Sequence, residues 1–177
     1  MTKDLTEAIK KKILAGGIFI YHTDTLYGIG CDASNQQAVE KIREIKGRDS
    51  KPFSVIAPSF DWIEEHLIID NDLDLKKYLP GAYTIILKKK DTKFLSWVSP
   101  TDSLGVRIPN NNFCFQLQKL NIPIITTSVN FSGQASSLSL EEIPKEIKDK
   151  VDFIIESKET LSGKPSSLII NGKVLER

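Results

Sequence analysis

Four short polar segments of this chain carry the residue types that bind phosphate and carboxylate groups. They are rich in hydroxyls, cations and glycines, and each lies at the end of a predicted regular element. The segments are Thr23-Asp24-Thr25-Leu26-Tyr27-Gly28, Lys46-Gly47-Arg48 with Lys51, Ser128-Val129-Asn130-Phe131-Ser132-Gly133, and Pro165-Ser166-Ser167. If the fold brings them together, they predict an anion-binding cleft.

Two of these segments have a second interpretation. Lys46 and Arg48 can simply complement the dipole of the helix that they end. Ser128 and Asn130 can hydrogen-bond to their own turn. However, Lys51 adds a third cation near the glycine, and three such cations can surround a polyphosphate. The serine-rich segment also follows a buried strand, at the edge where α/β sheets place their ligands, so we favour a shared cleft.

Other common site motifs find no support in this sequence. Residues 28–33 match the dinucleotide pattern G-x-G-x-x-A, but the first glycine lies well beyond the preceding strand, and no second strand ends in an acidic residue at the required distance. No Walker phosphate loop, hydrolase elbow or zinc-protease motif occurs. His22 and His66 are too few and too far apart for a metal site.

Composition limits the partners that this protein can have. The 177 residues are 40% hydrophobic, which predicts a single domain over residues 1–177. Lys and Arg total 24 and Asp and Glu 23, a net charge of +1, so no global field draws the chain onto nucleic acid or a membrane. Lys10-Lys11-Lys12 and Lys88-Lys89-Lys90 are candidates for weak RNA binding, although lysines at element ends are commonly solvated.

Cysteine usage and hydropathy indicate the compartment. Cys31 and Cys114 lie far apart and follow no metal-binding or redox spacing, so we expect no disulfide and a reducing environment. The sequence shows no hydrophobic leader and no uncharged apolar run of about 18 residues. We therefore expect a cytoplasmic protein with no membrane partner.

The apolar pattern predicts an α/β fold with a twisted mixed open sheet flanked by helices. Predicted helices cover 5–15, 60–67, 73–79, 113–120 and 140–148, and one more carries Val39, Ile42 and Ile45 and ends at Gly47. Predicted strands cover 18–21, 53–57, 83–87, 104–108, 122–127 and 153–156. Residues 23–33 are predicted as a turn. Asn171-Gly172 predicts a type I′ hairpin between 167–170 and 174–175, which makes the sheet mixed rather than all parallel.

Taken in order, these segments resemble the YrdC/TsaC family of threonylcarbamoyl-AMP synthases over nearly the whole chain. The matching segments are His22 to Gly30, Lys46 with Arg48, Lys51-Pro52-Phe53, Pro80-Gly81 with Thr84, Val106-Arg107-Ile108-Pro109, Thr127 to Gly133 and Pro165-Ser166-Ser167. Each segment is weak alone, but the ordered set is specific. The resemblance implies a YrdC-like fold without the extra C-terminal domain of longer members.

The resemblance also implies a reaction and its site. Threonylcarbamoyl-adenylate and pyrophosphate would form from L-threonine, bicarbonate and ATP, with Mg²⁺ accompanying the nucleotide and no protein metal ligand. The product would feed a tRNA-modifying threonylcarbamoyl transferase system. By resemblance, the catalytic residues are Lys46 and Arg48; the nucleotide-binding residues are Lys51, Ser128, Asn130 and Ser132; the threonine-binding residues are Thr23, Thr25, Arg107 and Ser166; and Tyr27 supports the wall.

The chain departs from the family pattern at several positions. His22 stands where the family usually has proline, which loosens the backbone before Thr23 and adds a titratable group. Asp49 replaces the usual proline after Arg48, the loop to Lys51 is about one residue shorter, and Ile56 stands where many members carry histidine. These changes bear on the phosphate side of the site.

Two other functions fit part of the pattern. One is an RNA-binding paralogue resembling YciO, but the retained polar set and the near-neutral charge argue against it. The other is a carbamoyl-transfer module like that of hydrogenase-maturation proteins. The absence of zinc-finger cysteines and of an acylphosphatase segment argues against this second alternative.

Overall fold

The computed structural model describes residues 5–47, 50–156 and 159–176. Strands and helices alternate along these ranges and form a ten-stranded mixed sheet with helices packed on its faces. The predicted α/β fold with a mixed, helix-flanked sheet is therefore confirmed.

The element bounds are as follows. The helices are α1 (Glu7–Leu14), α2 (Gln36–Lys46), α3 (Phe60–His66), α4 (Asn112–Gln118) and α5 (Lys145–Lys148), with a 3₁₀ turn at Leu75–Lys77. The strands are β1 (Phe19–His22), β2 (Tyr27–Gly30), β3 (Ser54–Ile56), β4 (Leu67–Ile68), β5 (Tyr83–Lys89), β6 (Ser103–Arg107), β7 (Ile124–Ser128), β8 (Phe153–Ile154), β9 (Ser167–Ile170) and β10 (Lys173–Leu175). Their order in the sheet is β10-β9-β5-β6-β3-β7-β2-β1-β8, with β4 paired to β5.

The sheet mixes both strand orientations. Three pairs run parallel, namely β1 with β8, β3 with β6, and β5 with β9. The pairs β1–β2, β2–β7, β3–β7 and β5–β6 run antiparallel, as do β4–β5 and β9–β10. The centre of the sheet therefore joins chain segments that are more than 50 residues apart in sequence, such as Gly28 opposite Ser128.

Two apolar clusters lie on the two faces of the sheet. Because side chains alternate along a strand, Ile20 of β1 packs with α2, α3 and α5, whereas Phe19 and Tyr21 pack with α1 and α4. Helix α2 begins at the side-chain cap Asn35 and ends at Gly47, whose φ of 57° is left-handed. The predicted apolar stripe of α2 is buried as expected, and the last helical residue, Lys46, is buried with it.

The predicted turn over 23–33 is wrong in its middle part, where Tyr27–Gly30 forms β2. Two glycines in four residues normally argue against a strand. Here they allow close packing, because a Cβ at Gly28 would lie 3.1 Å from the Thr127 carbonyl oxygen. Since Gly28 lies inside a strand, the dinucleotide pattern that begins there has no strand-to-helix turn to form.

Two predicted helices are shorter than expected. Within the predicted 140–148 helix only Lys145–Lys148 is helical, because Pro144 takes the cap position and the residue before a proline avoids helical dihedrals. The predicted 73–79 helix is a 3₁₀ turn at Leu75–Lys77 capped by Asp74. Residues 67–68, placed partly in a helix by the prediction, form β4 instead.

The predicted hairpin near the end of the described chain is confirmed. β9 and β10 pair antiparallel across Asn171 and Gly172, whose φ values of 49° and 70° are those of a type I′ turn. Cys31 and Cys114 are both buried free thiols. Along the described ranges, helices long and apolar enough to cross a bilayer are absent.

The close approach at Gly30 gives a stability prediction. A Cβ there would meet the Ile125 carbonyl oxygen and lie 2.9 Å from Tyr21 Cε1, so Gly30→Ala should lower the free energy of unfolding by about 3 kcal/mol, as overpacking does. Gly172→Ala is the control, because open space surrounds Gly172 and only its positive φ is strained, at about 1 kcal/mol. Urea unfolding measures both, and equal losses would contradict the packing argument.

Candidate functional site

A cleft of about 260 Å³ lies where several of the predicted segments meet. It is bounded by the β1–β2 loop, the ends of β6 and β7, the start of β3, and residues 165–166. Most of its lining side chains carry hydroxyls, and the charged side chain among its described lining residues is Arg107. The cleft can therefore offer many hydrogen bonds and one fixed positive charge.

Strand pairing explains why these distant segments meet. Ser54 of β3 lies opposite Gly105 of β6 and Thr126 of β7, and Gly28 of β2 lies opposite Ser128. All but Gly105 line the cleft. Gly105 has no room for a side chain, since a Cβ there would lie 3.1 Å from Ser54 Cβ. Sequence reasoning missed Ser54, because a serine at the start of an apolar strand gives no signal of its neighbours.

The loop of residues 23–26 is closed by one hydroxyl. Thr23 Oγ1 accepts hydrogen bonds from the backbone amides of Thr25 and Leu26, at 3.1 and 3.2 Å, and donates to the Leu26 carbonyl at 2.9 Å. It also shares a hydrogen bond of 2.8 Å with Thr25 Oγ1. Both threonines line the cleft as predicted, but the hydroxyl of Thr23 holds the loop in shape.

A second segment packs on the loop of residues 23–26. Ser162 N donates to the Asp24 carbonyl oxygen at 3.2 Å and Gly163 N donates to the Thr25 carbonyl oxygen at 3.1 Å. Just beyond, Ser166 Oγ lies 2.8 Å from Thr84 Oγ1, and both side chains line the cleft. The predicted Ser166 is thus brought to the site, with Thr84 as its partner.

Arg107 lies at the end of β6 with its guanidinium in the cleft wall. Nη2 donates to Asp24 Oδ1 at 2.6 Å, and Nη1 donates to Thr25 Oγ1 at 3.3 Å. Its Nε is buried and has no hydrogen-bond partner in the described structure. The side chain of Arg107 is 7% exposed, so this orphan N–H costs stability. The predicted Arg107 is therefore at the site, ion-paired to a residue that sequence reasoning left out of the site, Asp24.

The predicted phosphate loop is held by Lys46. The ammonium is 2% exposed and donates to the carbonyl oxygens of Ser128 and Asn130, the latter at 2.8 Å. Ser132 N donates back to the Lys46 carbonyl at 2.9 Å. The four predicted residues therefore meet, but Ser128 alone among them belongs to the described cleft lining.

Asn130 stabilises the same loop from within. Its Oδ1 accepts from Ser128 Oγ, and its Nδ2 donates to the carbonyls of Phe131 and Gln134 at 2.9 and 2.8 Å. All the polar side-chain atoms of Asn130 are used by the loop. Asn130 and Lys46 thus hold the loop in one shape, and Ser128 is the residue of this group that lines the cleft.

For the other two predicted cations, the structure describes Lys51 alone. Arg48 lies outside the described residues. Lys51 is exposed and is not among the lining residues, whereas its neighbours Pro52 and Phe53 are. The carbonyl of Lys51 accepts a 2.9 Å hydrogen bond from Arg43 Nη1, which ties this segment to α2.

His22 lies fully buried directly before the loop of residues 23–26. Asn111 fixes its tautomer: Asn111 Oδ1 accepts from Cys114 N at 2.8 Å, so its Nδ2 must face His22, 3.0 Å from Nδ1 and 3.1 Å from the His22 carbonyl. Nδ1 is then the acceptor and Nε2 carries the proton. Burial lowers the pKa of His22, and Glu159, with Oε2 3.7 Å from Nδ1, opposes that shift more weakly.

The described residues offer no cluster of three or more histidine, cysteine, aspartate or glutamate side chains that could hold a metal ion. The part of the cleft lining that the structure describes contains no carboxylate. Asp24, which is ion-paired with Arg107, is not one of these lining residues. The donor set consists of hydroxyls, backbone groups and a guanidinium, which suits anions.

Comparison with known proteins identifies relatives of the whole chain. The profile of the Sua5/YciO/YrdC family, described as telomere recombination, matches residues 11–175. A protein of Methanocaldococcus jannaschii named putative threonylcarbamoyl-AMP synthase is 41% identical over 171 residues, which cover 94% of this chain and 80% of that protein.

Two solved structures share the fold. Pyrococcus abyssi Sua5, complexed with L-threonine, superposes with a TM-score of 0.81 at 28% identity, over 92% of this chain and 49% of that one. This chain thus spans about half the length of that protein. Escherichia coli YciO superposes with a TM-score of 0.80 at 24% identity, over 96% of this chain and 89% of that one. The second likeness concerns the fold alone.

The contacts of Lys46 predict a structural cost for its removal. Lys46→Met keeps the length of the side chain but removes the charged donor to the Ser128 and Asn130 carbonyls, so the free energy of unfolding should fall by about 3 kcal/mol. Lys41→Met, on the exposed side of α2, should change it by less than about 0.5 kcal/mol. Denaturant unfolding gives both values, and a fully stable Lys46→Met protein would show that the ammonium does not hold the loop.

The buried imidazole predicts a dependence of stability on pH. Since burial lowers the pKa of His22 in the folded state, the unfolded chain takes up this proton at higher pH than the folded chain does. The stability contributed by neutral His22 is fully present above the ordinary pKa of 6.5 and is lost as the pH falls from there through the folded pKa. Wild-type protein should therefore lose stability between pH 7.5 and 5.5.

His22→Gln should lose less stability over that interval, because it has no such proton to take up. Urea midpoints at the two pH values test this. Identical pH dependence in wild type and His22→Gln would refute the assignment.

Proposed function

The chain belongs to the Sua5/YciO/YrdC family, and we propose that within it this protein is a threonylcarbamoyl-AMP synthase. It makes threonylcarbamoyl-adenylate and pyrophosphate from L-threonine, bicarbonate and ATP. The observation that carries the proposal is the hydroxyl-lined cleft with one buried, partly unsatisfied guanidinium, in a chain 41% identical to a protein of that name. The enzyme class is that of the nucleotidyltransferases.

The amino-acid end of the cleft is formed by Arg107, Thr25 and the Thr84–Ser166 pair. A carboxylate in the cleft can pair with the Arg107 guanidinium, whose Nη1 and Nη2 each carry a second N–H beyond those bound to Thr25 and Asp24. A substrate hydroxyl or amine then finds hydroxyl partners in the same wall. The bound threonine of the Pyrococcus Sua5 complex supports this choice of ligand by analogy.

The chemistry asks the protein for alignment rather than for a covalent nucleophile. The threonine amine and bicarbonate form a carbamate with loss of water. A carbamate oxygen then bonds to the α-phosphorus of ATP while the bond from that phosphorus to the bridging oxygen breaks and pyrophosphate leaves. Fixed hydrogen-bond donors around both anions favour this in-line geometry. Ser128 and the backbone of its loop, held by Lys46, are positioned to contribute such donors.

The residues assigned to the phosphate side of the site rest on two kinds of observation, contacts in the structure and family resemblance. Ser128 lines the cleft, Lys46, Asn130 and Ser132 hold or form its loop, and Lys51 begins the segment that leads into the wall at Pro52. Arg48 is assigned to the phosphates by resemblance. We propose that Lys46 acts through the loop in addition to any charge effect, because its ammonium is bound to two carbonyls.

Magnesium enters as part of the substrate. The described cleft residues supply no carboxylate ligand, which fits an ion that is coordinated by ATP phosphates and water rather than by a protein cage. The product is an activated acyl-adenylate, and we propose that a tRNA-modifying threonylcarbamoyl transferase in the cytoplasm consumes it.

The direct test is pyrophosphate release from ATP. It should require both L-threonine and bicarbonate, and omission of either should reduce release to background. Release that continues without threonine would contradict the proposal. Absence of turnover together with steeply salt-dependent RNA binding would instead favour the RNA-binding alternative.

A variant at Arg48 tests the proposed phosphate contact. Arg48→Ala should lower pyrophosphate release by about 100-fold, the size expected when one donor to a developing charge is lost. Lys41→Ala, a cation lost from the exposed side of α2, should keep wild-type turnover. Both variants should unfold at the wild-type urea midpoint. Unchanged turnover in Arg48→Ala would remove Arg48 from the site.

A further inference from the structure

We propose that Asp24 is a positioning residue for the amino-acid substrate, acting by holding the Arg107 guanidinium in one orientation in the cleft wall. This inference rests on the proposed function for the identity of the ligand. The contacts that support it are all within this chain. Asp24 lies in the loop of residues 23–26, and its side chain is 14% exposed.

The carboxylate of Asp24 bridges two donors from one turn. Oδ1 accepts from Arg107 Nη2 at 2.6 Å, and Oδ2 accepts from the backbone amide of Asn110 at 3.0 Å. Arg107 ends β6, and Asn110 lies in the segment that joins β6 to α4. Asp24 therefore fastens the end of β6, with its guanidinium, to the loop of residues 23–26.

Only a side chain with two acceptor oxygens can make this bridge. An asparagine at position 24 has one acceptor, and its NH₂ group would face either the guanidinium or the Asn110 amide, donor against donor. Asp24→Asn is nearly the same size as the native residue, yet it must break one of the two contacts. It therefore isolates the hydrogen-bonding requirement from packing.

The loop around Asp24 cannot easily move to compensate. Its carbonyl at Asp24 accepts from Ser162 N, its carbonyl at Thr25 accepts from Gly163 N, and Thr23 Oγ1 closes the turn. Since the backbone is fixed on both sides, a lost contact to Arg107 is not replaced by a small shift. The guanidinium then regains rotamer freedom that the native ion pair removes.

The consequence concerns the remaining donors of Arg107. Nη2 is bound to Asp24 and Nη1 to Thr25, and each of these nitrogens carries a second N–H. The two contacts set the direction of these N–H groups because the guanidinium is planar and lines the cleft. A substrate carboxylate thus meets preoriented donors, which lowers the ordering cost of binding.

The test is L-threonine binding by calorimetry in a double-mutant cycle with Asp24→Asn, Arg107→Gln and the double variant. Asp24→Asn should weaken threonine binding about tenfold, the scale of a lost charged hydrogen bond, while ATP binding stays within about twofold. If Asp24 acts through Arg107, the double variant should bind threonine as weakly as Arg107→Gln alone. Additive losses would overturn the inference.

A second ligand separates positioning from general damage. Threonine amide lacks the carboxylate and should bind more weakly than threonine. Its affinity should be the same for wild type and for Asp24→Asn. Asp91→Asn is the matched control, because Asp91 accepts from Lys93 N in an exposed turn away from the cleft lining, and it should bind threonine as wild type does. Equal loss of both ligands in Asp24→Asn would show unspecific disruption and overturn the inference.

Two outcomes separate this inference from the proposed function. Wild-type protein that binds threonine in an Asp24-dependent way but releases no pyrophosphate would refute the function and leave the inference standing. Wild-type protein that releases pyrophosphate, with an Asp24→Asn variant that keeps the wild-type affinity for threonine, would support the function and refute the inference. If Asp24→Asn does not fold, Asp24→Glu keeps both acceptors one methylene further out and should still weaken threonine binding; unchanged affinity there would overturn the inference.

Discussion

The antiparallel pairing of β2 with β7 is the constraint on which the site depends. It places Gly28 opposite Ser128 and so brings the loop that precedes β2 beside the loop that follows β7. The pairing is close because Gly28 and Gly30 have no side chains on the face that Tyr21 occupies. Tyr21 in turn donates to the Ile125 carbonyl at 3.1 Å from beneath β7. An apolar core on one face and two glycines thus fix the distance between the amino-acid loop and the phosphate loop.

Buried polar groups then give each loop its shape. Lys46 and Arg107 are each less than a tenth exposed, and each is bound to a loop of the site rather than to solvent. Burying such groups is costly, and well-packed apolar residues often give equal stability. The contacts they make are directional, however, and hold backbone carbonyls and hydroxyls in one arrangement. We therefore attribute their burial here to positioning rather than to net stabilisation.

The sequence predicted those features that depend on local chemistry. The apolar period of Val39, Ile42 and Ile45 predicted α2, and Asn171-Gly172 predicted its hairpin, because periodicity and turn conformation are properties of neighbouring residues. The sequence-based prediction failed for β2, since two glycines weaken the strand pattern. The close packing that requires these glycines involves Tyr21 and also β7, which is far from β2 in sequence. The 140–148 prediction failed because the apolar period was given more weight than Pro144.

In the candidate site, too, local residue types were predictable and contacts between distant residues were not. The hydroxyls and cations of the site were predicted from motif and resemblance, and Lys46, Ser128, Asn130, Ser132, Thr23, Thr25, Arg107 and Ser166 do come together. The partners of these residues were not predicted. Asp24 was visible only as the acidic residue between two threonines, and its bridge to Arg107 and Asn110 spans more than 80 residues of chain. Lys51, predicted beside the phosphates, is instead exposed outside the described lining.

The fold alone does not choose between the proposed synthase and the RNA-binding alternative, because Sua5 and YciO superpose on this chain with nearly the same TM-score. The side chains do favour one. Phosphate-dominated RNA binding needs many cations spread over a face, and this chain has a net charge of +1. The described cleft instead has one charged lining side chain, the Arg107 guanidinium, which is ion-paired with Asp24 and so fixed in direction. A single guanidinium held in this way suits the one carboxylate of the proposed amino-acid substrate better than a polymer of phosphates.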